Sequence, residues 1–326
     1  MRRREFLALL SGTIVGWPVA ARSQQTTKSR TIGFLYPGMA AGAPKRIAAM
    51  LSGVQTAGFR GAEEVEVLTK VTGGEPSLLA PMAADLVKRK VDLIFAVSSA
   101  GVRAAQSATT TIPIVATDFE SDPVGAGLVA SVSRPGGNIT GVFLDFPDFG
   151  KKWLESLRET VPQLTEVGVF WDPATGPVQL KAVETAARAL NLKLEILEAR
   201  RPADLDGLML SAKNRGVGGL LFLSSPIFGT DTKRVADLVL AQRLPAMMIF
   251  TDFARDGGLM AYGPNLLSIF RQGGVLAGKI LRGEKAADLP VETPTKFEFV
   301  LNLKTAKVLG INVPQSVLLR ADEVIE

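Results

Sequence analysis

Residues 91–118 read VDLIFAVSSAGVRAAQSATTTIPIVATD, and they contain a unit that recurs along most of the chain. Val91–Val97 is a short, continuous apolar run, which predicts a buried strand, and a short helix is predicted after it. Ile112–Ala116 predicts a second strand, and polar residues follow each of the two runs. Two strands joined through a helix are typical of a parallel sheet, because a tight hairpin cannot connect parallel strands.

The same alternation of strands and helices extends in both directions from this unit. Strands are predicted at 31–36, 65–71, 138–144, 167–171, 192–197, 219–223, 246–250, 259–262 and 296–300. Helices are predicted at 44–57, 78–90, 177–190, 203–214 and 230–243, and a later long helix is predicted to end at Gly283. The hydrophobic fraction of 47% with only 6% aromatic residues suits buried parallel strands covered by alanine-rich helices. We therefore predict an α/β fold built from doubly wound parallel sheets.

The chain is predicted to form two lobes. The βα alternation is interrupted near residues 140–147 and then restarts, and returning strands near 257–264 and 290–297 indicate that the chain recrosses between the lobes. We expect an N-terminal lobe of residues 24–143 plus 260–291 and a C-terminal lobe of residues 144–259 plus 292–326. A hinge would join the two lobes.

The first 23 residues have the layout of a secretory signal. Met1–Glu5 is strongly basic, and the apolar run from Phe6 to Ala21 is short and broken by Pro18, so it is a poor membrane span. Ala21-Arg22-Ser23 places small residues where a signal peptidase reads. Arg3-Arg4-Glu5-Phe6-Leu7 also resembles the twin-arginine motif. We expect residues 1–23 to be a cleaved signal peptide and the protein to be exported to the periplasm by the twin-arginine route; an uncleaved N-terminal anchor is the alternative.

The composition excludes several classes of function. The chain has no Cys and no His, which excludes thiolate nucleophiles, Cys/His zinc sites, disulfides and Ser-His-Asp triads. The formal charge is +5, but residues 24–326 hold 33 basic and 31 acidic residues, a net charge of +2. Such a balance gives no basic surface for nucleic acid. We expect no cofactor, no metal, no nucleic-acid partner and no catalytic residues.

Candidate ligand-binding residues lie at the carboxyl ends of the predicted strands, where open α/β sheets bind ligands. These residues are Tyr36, Ser98, Ser99, Asp118, Asp172, Ser224, Ser225, Asp252 and Tyr262. Hydroxyls and helix N-terminal amides suit a carboxylate, aspartates suit an ammonium or sugar hydroxyls, and tyrosines can stack on an apolar body. The set predicts capture of a small polar or zwitterionic molecule.

Each candidate also has a purely structural interpretation. Ser99 could cap the following helix and Asp172 could serve the turn before Pro173. Asp118 and Asp252 could be capping or ion-paired residues, and the two tyrosines could be packing residues. Trp153 lies on a helical apolar stripe and is expected in the core.

Several stretches resemble the ABC transporter substrate-binding proteins related to tryptophan- and tyrosine-binding importers, which have the type I periplasmic-binding fold. The matching stretches are Arg3–Phe6, Thr111–Val115, Asp122–Gly127, Arg134–Gly141, Tyr262-Gly263, Lys296–Glu298 and Leu303–Lys307. The sequence departs from the usual pattern at Ser99-Ala100-Gly101, Asp172-Pro173-Ala174 and Ser224-Ser225, where relatives commonly have Thr-Pro-Ala, Asn-Pro-Ala and Pro-Asp.

The resemblance implies three crossings between the lobes, a ligand in the cleft between them and hinge closure on binding. It implies docking of a monomer onto an ABC permease in the cytoplasmic membrane, and ligands that are often amino acids. It adds Thr140 to the candidate ligand-binding residues, although this residue could serve the crossing instead. We therefore expect a periplasmic solute-binding protein of an ABC importer.

Two other functions stay open at this point. A sensor module that presents its ligand to a membrane receptor would have the same sequence features. An exported hydrolase would have to use carboxylates such as Asp118, Asp172 and Asp252, or lysines, as its acid-base groups.

Overall fold

A computed structural model describes residues 29–60, 64–144 and 147–326, so the predicted signal peptide lies outside the described residues. The strands are β1 (Arg30–Tyr36), β2 (Val65–Val71), β3 (Leu93–Val97), β4 (Ile114–Asp118), β5 (Ile139–Phe143), β6 (Glu166–Trp171), β7 (Lys193–Glu198), β8 (Gly219–Phe222), β9 (Ala246–Met248), β10 (Met260–Pro264), β11 (Phe297–Asn302) and β12 (Glu323–Ile325). The helices are α1 (Ala43–Thr56), α2 (Leu79–Lys88), α3 (Ser98–Ala108), α4 (Pro147–Thr160), α5 (Val178–Ala189), α6 (Leu205–Asn214), α7 (Pro226–Gly229), α8 (Thr232–Ala241), α9 (Asp252–Arg255), α10 (Leu266–Leu281), α11 (Leu303–Leu309) and α12 (Gln315–Leu318).

The strands form two separate sheets. The first has the order β2-β1-β3-β4-β5 and is parallel throughout. The second has the order β12-β11-β10-β9-β8-β6-β7, and among the described strands only the β10–β11 pair is antiparallel. The prediction of an α/β fold with two lobes of doubly wound, mostly parallel sheets is confirmed. The central strands are buried along their whole length, as in β3 and β8, because helices cover both faces of each sheet.

The N-terminal lobe is closed by a close contact between helices α1 and α10. Gly53 on α1 and Gly274 on α10 lie where the two helices meet. A Cβ built on Gly274 would overlap the carbonyl oxygen of Met50, and one on Gly53 would overlap that of Arg271. The absence of side chains at these two positions lets the backbones of the two helices come into direct contact.

In the part of the chain that the structure describes, no helix combines the length and the hydropathy needed to cross a bilayer.

The chain crosses between the lobes in three places: between β5 and α4, between β10 and α10, and in the segment before β11. The last crossing runs beside β5, where Glu292 N donates to Gly141 O and Phe143 N donates to Glu292 O, both at 2.9 Å. Two adjacent backbone segments therefore connect the lobes at this edge of the first sheet.

One part of the predicted lobe division is wrong. Met260–Pro264 was assigned to the N-terminal lobe, but it is β10 of the second sheet, where it pairs with β9 and β11. The chain returns to the first lobe only with α10, which packs on α1. An alternating apolar pattern identifies a strand without showing which sheet it joins, and this explains the error.

Candidate functional site

The junction between β3 and α3 places two serines at the carboxyl end of the first sheet. Ser98 begins the helix directly after the strand, with φ of +63°, in the left-handed region that non-glycine residues seldom adopt. The backbone N–H of Ser99 donates to Glu120 Oε2 at 2.8 Å. Ser98 Oγ is buried and has no hydrogen-bond partner among the described residues. A strained backbone and an unsatisfied buried hydroxyl are features that occur at functional sites.

A tight turn after β4 brings two acidic residues together. Asp118 Oδ1 accepts hydrogen bonds from the backbone N–H groups of Glu120 at 2.9 Å and Ser121 at 3.1 Å. The aspartate therefore has the capping role that was one of its two interpretations. The turn leaves the carboxyl group of Glu120 between the lobes, where it is only 3% exposed.

Residues that follow β8 and β6 supply the opposite side of the site. Ser224 Oγ donates to Glu120 Oε1 at 2.7 Å, which is a direct hydrogen bond between the lobes. Ser224 is held by the buried Gln179, whose Oε1 accepts from the Ser224 backbone N–H at 2.7 Å. Ser225 Oγ donates to Asp172 Oδ2 at 2.8 Å. Hydroxyls predicted from the strand ends therefore join a hydrogen-bonded network with buried carboxyls.

Arg103 on α3 makes a second contact between the lobes. Its Nη2 donates to Ala174 O at 2.6 Å and to Ser99 Oγ at 3.1 Å. Asp172 holds the turn that presents this carbonyl, because Asp172 Oδ1 accepts from the Ala174 backbone N–H at 2.9 Å. Asp172 therefore has the turn role, and it also lines a cavity between the lobes.

Burial shifts the titration of all three carboxyls in the same direction. Burial raises the pKa of Asp118 and of Asp172. Burial, and after it the charge of Asp118, raises the pKa of Glu120 well above its ordinary value. No ion pair within the described ranges includes Asp118 or Glu120, so hydrogen bonds alone compensate their burial.

A small cavity of about 40 Å³ lies between the lobes beside Glu120. Its lining combines four aromatic rings with smaller apolar residues and a few polar groups: Tyr36, Arg46, Val97, Ser98, Thr117, Phe119, Glu120, Pro226, Gly229, Thr230, Phe250, Leu266 and Phe270. The guanidinium of Arg46 lies 5.2 Å from the centre of the Tyr36 ring and 5.8 Å from that of Phe270. Thr117 Oγ1, like Ser98 Oγ, is buried without a hydrogen-bond partner among the described residues. Aromatic walls with a few polar groups are typical of a small-molecule site.

A second cavity, of about 50 Å³, adjoins the first and shares Ser98 and Pro226 with it. Ser99, Asp172, Thr175 and Arg200 are among the residues that line it. Each cavity holds only a few water molecules. A solute of amino-acid size therefore fits between the lobes only if they move apart or their side chains rearrange.

The structure brings seven of the ten predicted site residues into this region and places the other three elsewhere. The seven are Tyr36, Ser98, Ser99, Asp118, Asp172, Ser224 and Ser225. Asp252 is exposed and pairs with Arg255 at 3.4 Å. Thr140 Oγ1 donates to Leu289 O at 2.8 Å, so this residue ties β5 to the segment that leads into the last crossing.

Tyr262 belongs to a different aromatic cluster in the C-terminal lobe. Its ring stacks on Phe149 at 5.6 Å between centres, and its hydroxyl accepts from Lys152 Nζ at 3.3 Å. The indole of Trp153, which is buried as expected, donates to Tyr262 O at 2.7 Å. Tyr262 does not line either cavity between the lobes.

Among the site residues that reasoning from the sequence missed are Glu120, Thr117, Arg46 and Arg103. Glu120 lies two residues beyond Asp118, and extending the strand-end rule by one turn would have found it. The arginines lie on helices, and no pattern in the sequence shows that their side chains reach the site.

Comparison with known proteins gives concordant matches. The family model described as "ABC transporter substrate binding protein" matches residues 42–325. A "Tyrosine-binding protein" of Clostridioides difficile strain R20291 is 25% identical over 271 residues, which cover 80% of this chain and 75% of that protein. A conserved domain protein from Vibrio cholerae has a TM-score of 0.84 at 23% identity, over 91% of this chain and 100% of that one. An ABC domain from Streptococcus pneumoniae, solved in complex with L-Trp, has a TM-score of 0.81 at 23% identity with the same coverage.

Proposed function

The chain belongs to the family of ABC transporter substrate-binding proteins, and on that premise we propose that it binds an amino acid or a similar small polar solute between its two lobes. The observation that carries the proposal is the interlobe cavity, where unpartnered hydroxyls of Ser98 and Thr117 lie next to buried carboxyls and aromatic rings. Unsatisfied polar groups in a closed cavity indicate a missing hydrogen-bonding partner. The tyrosine-binding relative and the neighbour bound to L-Trp support an amino acid as that partner.

Binding requires the two lobes to separate and close again. Three backbone crossings connect them, and the hydrogen bonds between them among the described residues include Ser224 with Glu120 and Arg103 with Ala174. Hinge closure around a ligand is a well-established motion for paired lobes of this kind. A ligand that bridges the lobes would add contacts only in the closed state and would shift the equilibrium toward it.

We further propose that the protein works in the periplasm as a monomer and delivers its solute to an ABC permease. The proposal of export is supported by the basic, apolar and small-residue segments of the first 23 residues and by Arg3-Arg4. The family match supports reversible binding of the solute rather than its conversion.

A binding screen tests the proposal. The exported protein, purified without refolding, is mixed with the twenty L-amino acids, nucleosides and sugars at millimolar concentration, and its melting temperature is measured. A true ligand raises the melting temperature through mass action. Small-angle X-ray scattering with the same solute should show a smaller radius of gyration than in its absence. If no solute changes either quantity, the proposal fails.

A further inference from the structure

Two carboxyl groups that form no ion pair among the described residues lie at the centre of the site. Asp118 is 0% exposed and Glu120 is 3% exposed. Among the described residues Asp118 Oδ2 has no hydrogen-bond partner, although Asp118 Oδ1 accepts two backbone hydrogen bonds. The two residues belong to one turn, and the charge of Asp118 acts directly on Glu120.

Such a pair cannot be doubly ionised in the empty site without a positive partner, because two buried like charges repel and are both desolvated. A proton held between the carboxyls removes one charge and satisfies the unpartnered oxygen. The raised pKa of Glu120, caused by burial and then by Asp118, agrees with this arrangement. A single proton on the pair would therefore balance the second buried charge.

The cavity beside Glu120 has the groups that an ammonium needs. Glu120 Oε1 and Oε2 already accept one hydrogen bond each, from Ser224 and from the Ser99 backbone, and each oxygen can accept another. Ser98 and Thr117 line the same cavity, and their hydroxyl oxygens have no hydrogen-bond partner within the described ranges. An ammonium has three N–H donors, which matches one carboxylate and two hydroxyl acceptors. Aromatic rings around it add favourable cation–π interactions.

We propose that the solute carries a primary ammonium group, which binds to Glu120, Ser98 and Thr117 and displaces the proton that Glu120 shares with Asp118. The proton leaves for solvent, so one positive charge replaces another and the buried charge stays balanced. This inference rests on the proposed solute-binding function and specifies the class of solute.

The other charged groups around the pair define where the rest of the solute lies. Arg46 approaches from α1 and Arg103 from α3, while Asp172 lies on the opposite lobe. Tyr36, from β1, is a neutral titratable neighbour, because burial raises the pKa of its phenol. Arg46 lines the cavity and makes no ion pair among the described residues, so it is placed to meet a carboxylate. The solute's ammonium and carboxylate would therefore point to Glu120 and Arg46 respectively.

Matched probes separate the ammonium from the rest of the solute. Isothermal titration calorimetry is performed with L-tyrosine, with tyramine, which lacks the carboxylate, and with 3-(4-hydroxyphenyl)propionate, which lacks the amine. The same trio is built on tryptophan, or on whichever amino acid gives the largest thermal shift. We expect removal of the amine to weaken binding at least tenfold. Titrations in two buffers of different ionisation enthalpy at pH 5–6 should show release of up to one proton per bound molecule.

Variants identify the group that exchanges its proton. Glu120→Gln keeps the shape but not the charge, so we expect it to lose binding of the amine-bearing probes and the proton release together. Asp252→Asn, at an exposed residue outside the site, is the matched control and should bind as the wild type does. If Glu120→Gln fails to fold, Ser98→Ala and Thr117→Val replace it, and each should weaken amine binding several-fold.

The inference and the proposed function fail in different ways. Equal binding of the probes with and without the amine, binding of sugars alone, or amine binding without proton release at pH 5–6 would overturn the inference and leave solute binding intact. Failure of every solute to bind would overturn both.

Discussion

Ser224 Oγ lies 2.7 Å from Glu120 Oε1, and this hydrogen bond joins the two lobes through a carboxyl group that is buried from solvent. Ser224 follows β8 of the second sheet, and Glu120 follows β4 of the first. The protonation state of one side chain is therefore coupled to the contact that holds the lobes closed. The consequences can be measured without knowing the solute.

The stability of the solute-free protein should fall as the pH rises above 4.5, the ordinary pKa of the Glu120 carboxyl. The pKa of Glu120 is raised by burial above its ordinary value of 4.5. A carboxyl whose pKa is higher in the folded state binds more protons there. Its contribution to stability is therefore complete below pH 4.5 and is lost as the pH rises through the folded-state pKa. Burial also raises the pKa of Asp118 and of Asp172, so these two groups change the stability in the same direction. Urea unfolding at a series of pH values measures this dependence.

Few other groups obscure that pH window. The chain has no His, whose titration would normally dominate between pH 5 and 8. Hydrogen bonds from Lys70 and Arg89 lower the pKa of Asp85, so this group makes stability rise with pH. Its effect is confined to pH values below its ordinary pKa of 3.8. Glu120→Gln should flatten the dependence of stability on pH above 4.5. An unchanged slope in this variant would show that Glu120 is not the group that titrates.

Removing the hydroxyl of Ser224 should weaken lobe closure. Ser224→Ala leaves a buried carboxylate oxygen without its partner, which typically costs about 1–3 kcal/mol. We expect a lower melting temperature and a larger radius of gyration in solution scattering. Ser107→Ala, at an exposed position of α3, is the control and should change stability by less than about 0.5 kcal/mol. Equal effects of the two substitutions would mean that the interlobe hydrogen bond contributes nothing.

The fold could be predicted from the sequence because its strands are short apolar runs bounded by polar residues. The fully buried strands β3 and β8 are examples, and the predicted strand 65–71 matches β2 residue for residue. The lobe membership of β10 could not be predicted, since pairing with β9 and β11 depends on contacts far along the chain.

The site could be predicted in part for the same reason. Asp118 ends β4, Ser98 directly follows β3, and Ser224 lies two residues beyond β8, and the carboxyl ends of these strands meet between the lobes. Tyr262 is instead the middle residue of β10, because that strand continues to Pro264. Asp252 lies four residues beyond the short β9, too far for its side chain to stay at the sheet edge. Strand-end reasoning thus fails where a strand's true end differs from the end of its apolar run.

The close contact between α1 and α10 should not tolerate even one methyl group. In Gly274→Ala the new Cβ would overlap the Met50 carbonyl oxygen, which belongs to rigid helix backbone. We expect a loss of stability of at least about 1–3 kcal/mol, as for other overpacked sites. Gly207→Ala in α6 is the matched control. Its Cβ would meet nothing within 4 Å, so the same substitution should stabilise the protein by about 0.5–1 kcal/mol. Urea unfolding measures the change in stability of each variant. Similar changes in the two variants would contradict the close contact between α1 and α10.

The chain's two tyrosines provide a direct test of where the solute binds. Tyr36 is 4% exposed, lines the cavity between the lobes and has Thr230 of the other lobe as its hydrogen-bonding neighbour. Tyr262 lies outside both cavities, against Phe149 and Lys152. Removal of a hydroxyl that contacts a ligand or closes the site typically costs about 1 kcal/mol, or about fivefold in affinity.

Tyr36→Phe should therefore weaken binding of the amino acid found in the thermal-shift screen by roughly two- to tenfold, as measured by calorimetry. Tyr262→Phe removes the same atom from the same residue type. The affinity of this variant should stay within about twofold of the wild type, because the Tyr262 hydroxyl hydrogen-bonds only with Lys152 among the described side chains. The reverse order of effects would place the solute in the groove of about 290 Å³ beside Tyr262, Lys152 and Arg320 rather than between the lobes. The pair of variants thus distinguishes two locations with one substitution type, independently of which amino acid binds.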